Sequence, residues 1–159
     1  MLRWQPRLAD LQLSLRVAVA AVLATVIAQW LALPHPLYAL VSAVIVTDLS
    51  AKQTQSLGWP RTAGTAVGGV LGAGLGTVLP PGVWTVGLGI LLAMTLTNAL
   101  GLRPAARLAG YVCGIVLLDH GGEPWAYAVA RMVETCLGIA AAILVSYVPK
   151  LLRNGAPPR

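Results

Sequence analysis

The chain has 159 residues, 57% hydrophobic and 10% charged, with a net charge of +6 and a mean hydropathy of +0.77. A soluble domain carries about 25% charged residues, so this composition excludes a water-covered surface and indicates an integral membrane protein whose first partner is the lipid bilayer. The charges stand singly at the ends of apolar segments and form no patch or stripe, which excludes nucleic acid as a partner.

The predicted elements follow in order. Residues 1–10 form an amphipathic lead-in with Arg3, Trp4 and Arg7, suited to a cytoplasmic interface. A first span runs from about Leu11 to Leu33, with Arg16 as its one charge, either turned inward or reaching for the interface. Pro34-His35-Pro36 breaks it, and a short second span runs from about Leu37 to Leu49, with Asp48 near its end. The polar stretch AKQTQSLGWP reads as a loop, and a third span covers about Arg61 to Leu79. The fourth covers about Val83 to Leu100, the fifth about Ala105 to Leu118 and the sixth about Trp125 to Val148. Residues 150–159 form a polar tail. The expected fold is all-α and integral to the membrane, with six transmembrane helices in residues 11–149, because helices satisfy every backbone group in lipid. Trp4, Trp59, Trp84 and Trp125 fall near the predicted interfaces. No cleavable signal peptide is evident.

Lys and Arg alternate between loops. The N-terminal segment, the second loop (Lys52, with Arg61 at its edge), the fourth (Arg103) and the tail carry them; the first, third and fifth loops carry none. This pattern supports six spans with both termini cytoplasmic.

A repeat organises the chain. Arg61-Thr62-Ala63-Gly64-Thr65-Ala66-Val67-Gly68 and Arg131-Met132-Val133-Glu134-Thr135-Cys136-Leu137-Gly138 both read R-x-x-[GE]-T-x-x-G, offset by 70 residues (61 to 131, 68 to 138). Asp48 and Asp119 each close a preceding apolar run. Two three-helix units follow, about 11–79 and 83–149. Three spans being odd, the second unit enters from the opposite side, an inverted-topology plan common in secondary transporters. Arg61 is then expected at the cytoplasmic face and Arg131 at the external one.

Gly64, Gly68, Gly72 and Gly76 share one helix face, which suits close helix packing, or else a sliding or pore-lining surface; Gly138 holds the matching place in the second copy. Arg61 and Arg131, near the predicted helix starts, are read either as salt-bridge partners (Asp48 for Arg61; Asp119 or Glu134 for Arg131) or as an anion trap. Glu134 stands where the first copy has Gly64, so the repeat itself needs no acid there; it pairs with Arg131 or holds a proton in a transport cycle. Cys113 and Cys136 read as small packing residues, and His35 and His120, each in a loop, make no metal site. No nucleophile, phosphate-binding or dinucleotide motif is apparent, so neither an enzyme nor a cofactor is expected.

The block HPLYALVSAVIVTDLSAKQTQSLGWPRTAGTAVGGVLGAGLG, with the closing ARMVETCLGIAAAILVSYV, resembles the transmembrane module of the fusaric acid resistance / aromatic acid exporter family, over roughly residues 12–148. The resemblance implies a bacterial inner-membrane protein that exports aromatic carboxylic acids or similar small organic anions, driven by the proton gradient. Carried onto this chain, its motif positions are Arg61, Thr65, Gly68, Arg131, Glu134, Thr135 and Gly138, with Arg61, Arg131, Thr65 and Thr135 as substrate-binding candidates. Glu134, Asp48 and Asp119 are the candidates for proton coupling or ion pairing. Larger members carry two such modules and cytoplasmic domains; one module here implies a homodimer or higher homo-oligomer. Two other readings stand beside export: a non-transporting scaffold or regulatory subunit assembled through the glycine faces, and a pore at an oligomer axis.

Overall fold

The computed structural model describes residues 8–119 and 122–148, apart from the side chains of residues 8, 9 and 119. The expected lead-in at 1–7, His120, the pairing of Asp119 with Arg131 and the tail therefore lie outside the described residues. Within them the fold is all-helical. The helices are α1 (Leu8–Trp30), α2 (Pro36–Val46), α3 (Ala51–Val78), α4 (Val83–Ala99), α5 (Ala106–Asp119, after a 3-10 turn at Arg103–Ala105) and α6 (Pro124–Tyr147). Residues Asp10–Trp30 of α1 and the whole of α6 are long and apolar enough to cross a membrane.

The first two helices end about three residues before the expected limits, and the largest difference from the sequence reading is the start of α3. The stretch AKQTQSLGWP is no loop; it forms the first turns of α3, with Ser50 as N-cap and Pro60 inside the helix. Lys52, Gln53, Gln55 and Ser56 face outward while Thr54 and Gly58 are buried, in line with Arg61, Thr65 and Gly68. Small residues at helical spacing hold this segment to its neighbours where hydropathy alone shows nothing. At 28 residues α3 is about 42 Å long, and Arg61 lies nearly three turns from its start.

The long helices α3 and α6 cross antiparallel. Gly58 of α3 lies against Ile139 of α6, and Gly69 against Ala128. The hydroxyls of Thr54 and Ser146 sit 2.8 Å apart near one end. Interpolation along the two helices places Gly64 level with the turn that carries Glu134.

The remaining helices form two hairpins. The α1–α2 hairpin packs on α6: Ala20, Ala24 and Ala28 of α1 meet Ala39 and Ala43 of α2 and Ala141 and Val145 of α6. The α4–α5 hairpin packs on α3, where Ala93, Ala109, Cys113 and Leu117 are covered by Val67, Leu71 and Leu75. Both hairpins turn in the same way. Leu33 N–H reaches Ala28 O and Ala32 N–H reaches Gln29 O; Leu102 N–H reaches Thr97 O and Gly101 N–H reaches Asn98 O. Each is a Schellman closure with one residue in the left-handed region, Ala32 at φ 49° and Gly101 at φ 77°.

Close contacts recur 70 residues on. A Cβ at Gly68 would run into the carbonyl of Ala109, and one at Gly138 into that of Ala39. Gly72 meets Val116, and Ala142 packs with Val46. At these places only a glycine or alanine lets the helices approach so near.

Candidate functional site

The site gathers where α3 and α6 cross. Arg61 and Arg131 each stand three residues before the level of the crossing, on antiparallel helices, so their Cα atoms lie on opposite sides of the midpoint, about 4.5 Å from it along the axis. The two charges are near enough to act on one another. Arg131 is 2% exposed and Glu134 fully buried.

Among the described residues, Arg61 does not pair with Asp48, nor Arg131 with Glu134. Nε–H of Arg61 donates to the Ser42 hydroxyl at 3.0 Å. Asp48 stays at the α2–α3 link, where its Oδ1 accepts from Ser50 N–H at 3.3 Å and its own N–H donates to Thr54 Oγ1 at 3.0 Å. Arg131 lies flat on Tyr38, its guanidinium carbon 3.3 Å from the ring centroid, with Tyr111 at 5.7 Å and Tyr127 at 5.9 Å. Such stacking stabilises a desolvated cation by about 2 kcal/mol, yet leaves the edge of the fork free: Nε and Nη1 of Arg131 are buried with no hydrogen-bond partner. Glu134 Oε1 accepts the His35 N–H at 2.7 Å, while its Oε2 is buried without a partner. The i, i+3 pairing of Arg131 with Glu134 is therefore absent, because each side chain is drawn to the first-copy hairpin.

Thr65 and Thr135 are both buried one turn beyond their arginines. Gly64, Gly68 and Gly72 face α5, whereas Gly76 has ordinary contacts with Leu117 and Pro124. Cys113 is buried and Cys136 exposed, both as free thiols, so only Cys113 packs within the chain. Among the described residues no group of His, Cys, Asp or Glu could hold a metal. Four contributors were not singled out in the sequence: Tyr38, Tyr111 and Tyr127, which surround Arg131, and Ser42, which holds Arg61. No local motif marks them; their roles arise from helices distant in the chain. Arg16, expected inward or at the interface, is buried and donates to Leu49 O and Val148 O, both at 2.8 Å.

Two clefts approach the crossing. One, of about 240 Å³, is lined by Pro34, His35, Glu123, Ala126, Tyr127 and Ala130. The other, of about 290 Å³, is lined by Pro104, Leu57, Pro60 and Arg61. Pro34 and Pro104, Tyr127 and Leu57, and Ala130 and Pro60 stand at the same 70-residue offset.

An all-helical chain, with two helices long and apolar enough to cross a membrane and two buried arginines beside one buried carboxylate, is what the fold and site define. Comparison with known proteins gives the family: residues 23–145 match the fusaric acid resistance protein-like family, and the chain belongs to that membrane-associated, transport-related family. It is also 22% identical, over 147 residues, to the UPF0421 protein YgaE of Bacillus subtilis strain 168. The alignment covers 87% of this chain and 41% of that relative. No solved structure matches.

Proposed function

We propose that the chain is a transporter module for small organic anions, of the aromatic carboxylate type, with the anion held between Arg131 and Arg61. The observation that carries this reading is the charge balance at the crossing. Two guanidinium groups and one carboxylate are buried there, and Nε and Nη1 of Arg131 are left without acceptors. A buried unpaired charge is costly, and removing acceptors from buried donors costs about 1–3 kcal/mol each. A carboxylate ligand supplies both the missing charge and a bidentate acceptor. Glu134, whose second oxygen is free, is the candidate proton carrier.

In this reading the two halves are inverted units of about 11–79 and 83–149 in the bacterial inner membrane, with both termini cytoplasmic and the module working as a homodimer. The recurring contacts and the loop charges support it. At about 16 and 21 Å, α2 and α5 are shorter than the roughly 30 Å hydrocarbon core. A helix longer than the core tilts, and a tilted α3 and α6 would bring the turn at Pro34–His35 to one face and Pro104 to the other.

The test is uptake of a labelled aromatic carboxylate into proteoliposomes under an imposed pH gradient. Wild type is expected to accumulate it and Glu134→Gln to equilibrate it without accumulation. Accumulation by Glu134→Gln equal to wild type removes Glu134 from the coupling.

A further inference from the structure

The two clefts occupy equivalent places but end differently. The cleft beside Pro104 reaches its arginine, since Arg61 itself forms part of the wall. The cleft beside Pro34 has Tyr127, His35 and Glu123 in its wall but not Arg131, which stacks on Tyr38 with the buried Tyr127 ring 5.9 Å away. The rings that intervene form one interlocked group. The Tyr127 hydroxyl donates to the Tyr38 hydroxyl at 2.9 Å; the two rings meet edge to face at 81°, and His35 meets Tyr127 edge-on at 86°. At the offset of 70, Tyr38 corresponds to Leu108, Tyr127 to Leu57 and His35 to Ala105. None of these can make a hydroxyl–hydroxyl bond or an edge-to-face ring contact, so the Arg61 side has no equivalent closure.

We propose that Tyr127 is a gate residue: its ring, latched to Tyr38, separates the Pro34 cleft from Arg131, while Arg61 stays open to the Pro104 cleft. An anion entering beside Pro34 meets Arg131 only after the Tyr127 ring swings out and the Tyr38 hydroxyl is released. The same movement would take away the Tyr127 ring that stands 5.9 Å from the guanidinium carbon, so opening also changes the surroundings of Arg131. The gate gives the module two unlike ends, one screened by aromatic side chains and one lined by aliphatic ones. The inference rests on the transport reading for its purpose, but it concerns access and can be tested without transport.

The experiment is thiol labelling in proteoliposomes, in a Cys113→Ala/Cys136→Ala background, with a membrane-impermeant anionic methanethiosulfonate on both sides of the bilayer. Ala130→Cys (in the cleft wall) and Arg61→Cys are expected to react promptly. Arg131→Cys is expected to react roughly tenfold more slowly than Ala130→Cys, the factor set by one hydrogen bond and one aromatic pair. Adding Tyr127→Leu, the residue at the equivalent place, should remove that lag. Arg131→Cys reacting as fast as Ala130→Cys with Tyr127 intact, or no acceleration by Tyr127→Leu, overturns the gate. Should Tyr127→Leu not fold, Tyr127→Phe keeps the ring and loses the latch. It is expected to accelerate labelling severalfold, and an unchanged rate overturns the gate. Anion uptake measured alongside separates the two ideas: labelling as expected without uptake of any carboxylate leaves the gate and removes the transport reading.

Discussion

Arg131 shows how a charge can be placed in an apolar interior without an ion pair. Glu134 is one turn away and within range of its field, but Tyr38 covers the guanidinium plane and the His35 backbone takes the carboxylate. The R-x-x-E spacing was legible in the sequence; the outcome was not, because the deciding partners, His35 at the N-cap of α2 and Tyr38 within it, are about a hundred residues away. The glycines are more transparent. Gly68 admits no larger side chain, since a Cβ there meets the Ala109 backbone, whereas Gly74 has nothing within 4 Å. Gly68→Leu is expected to destabilise the fold by roughly 3 kcal/mol or more through overpacking. Gly74→Ala should stabilise it by about 0.5–1 kcal/mol through helix propensity. Thermal unfolding in detergent compares them, and equal effects would contradict the close approach of α3 to α5.

At the scale of elements, the turns and the helix ends carry the next predictions. Ala32 occupies a left-handed position that glycine fills in the second hairpin. Ala32→Gly should raise stability by about 1 kcal/mol and Gly101→Ala lower it by a similar amount, since a Cβ is disfavoured there. A shift in melting temperature of the same sign for both would refute the shared turn geometry. Arg16 ties α1 to the link after α2 and to the end of α6 through two carbonyls. Arg16→Ala strands both acceptors and is expected to cost roughly 2–4 kcal/mol. Hydrogen exchange should then accelerate at residues 47–50 and in the last turn of α6; unchanged protection there would show that the clamp is idle. Most helix ends were legible from proline and glycine punctuation. The start of α3 was not, because its first turns are polar and hold to the bundle through Thr54 and Gly58 rather than through apolar bulk.

For the whole molecule, the 70-residue offset seen in eight letters of sequence reappears in contacts. Gly68 on Ala109 is matched by Gly138 on Ala39, and the cleft at Pro104 by the cleft at Pro34. The sequence placed the two arginines at opposite helix starts; the fold instead brings both to the crossing of α3 and α6. That change bears on the anion reading, because two buried cations and one buried carboxylate at one crossing leave a net positive charge that neither arginine creates alone. The exception to the offset, Glu134 in place of Gly64, sits at the crossing itself. The most direct measurement is concentrative uptake of a panel of aromatic carboxylates into proteoliposomes, comparing wild type, Arg61→Ala and Arg131→Ala. Our account predicts uptake by wild type and a loss of at least about 100-fold in each variant, the order of a buried charge-assisted pair. Undiminished uptake by Arg131→Ala, or none by folded wild-type protein, would contradict it.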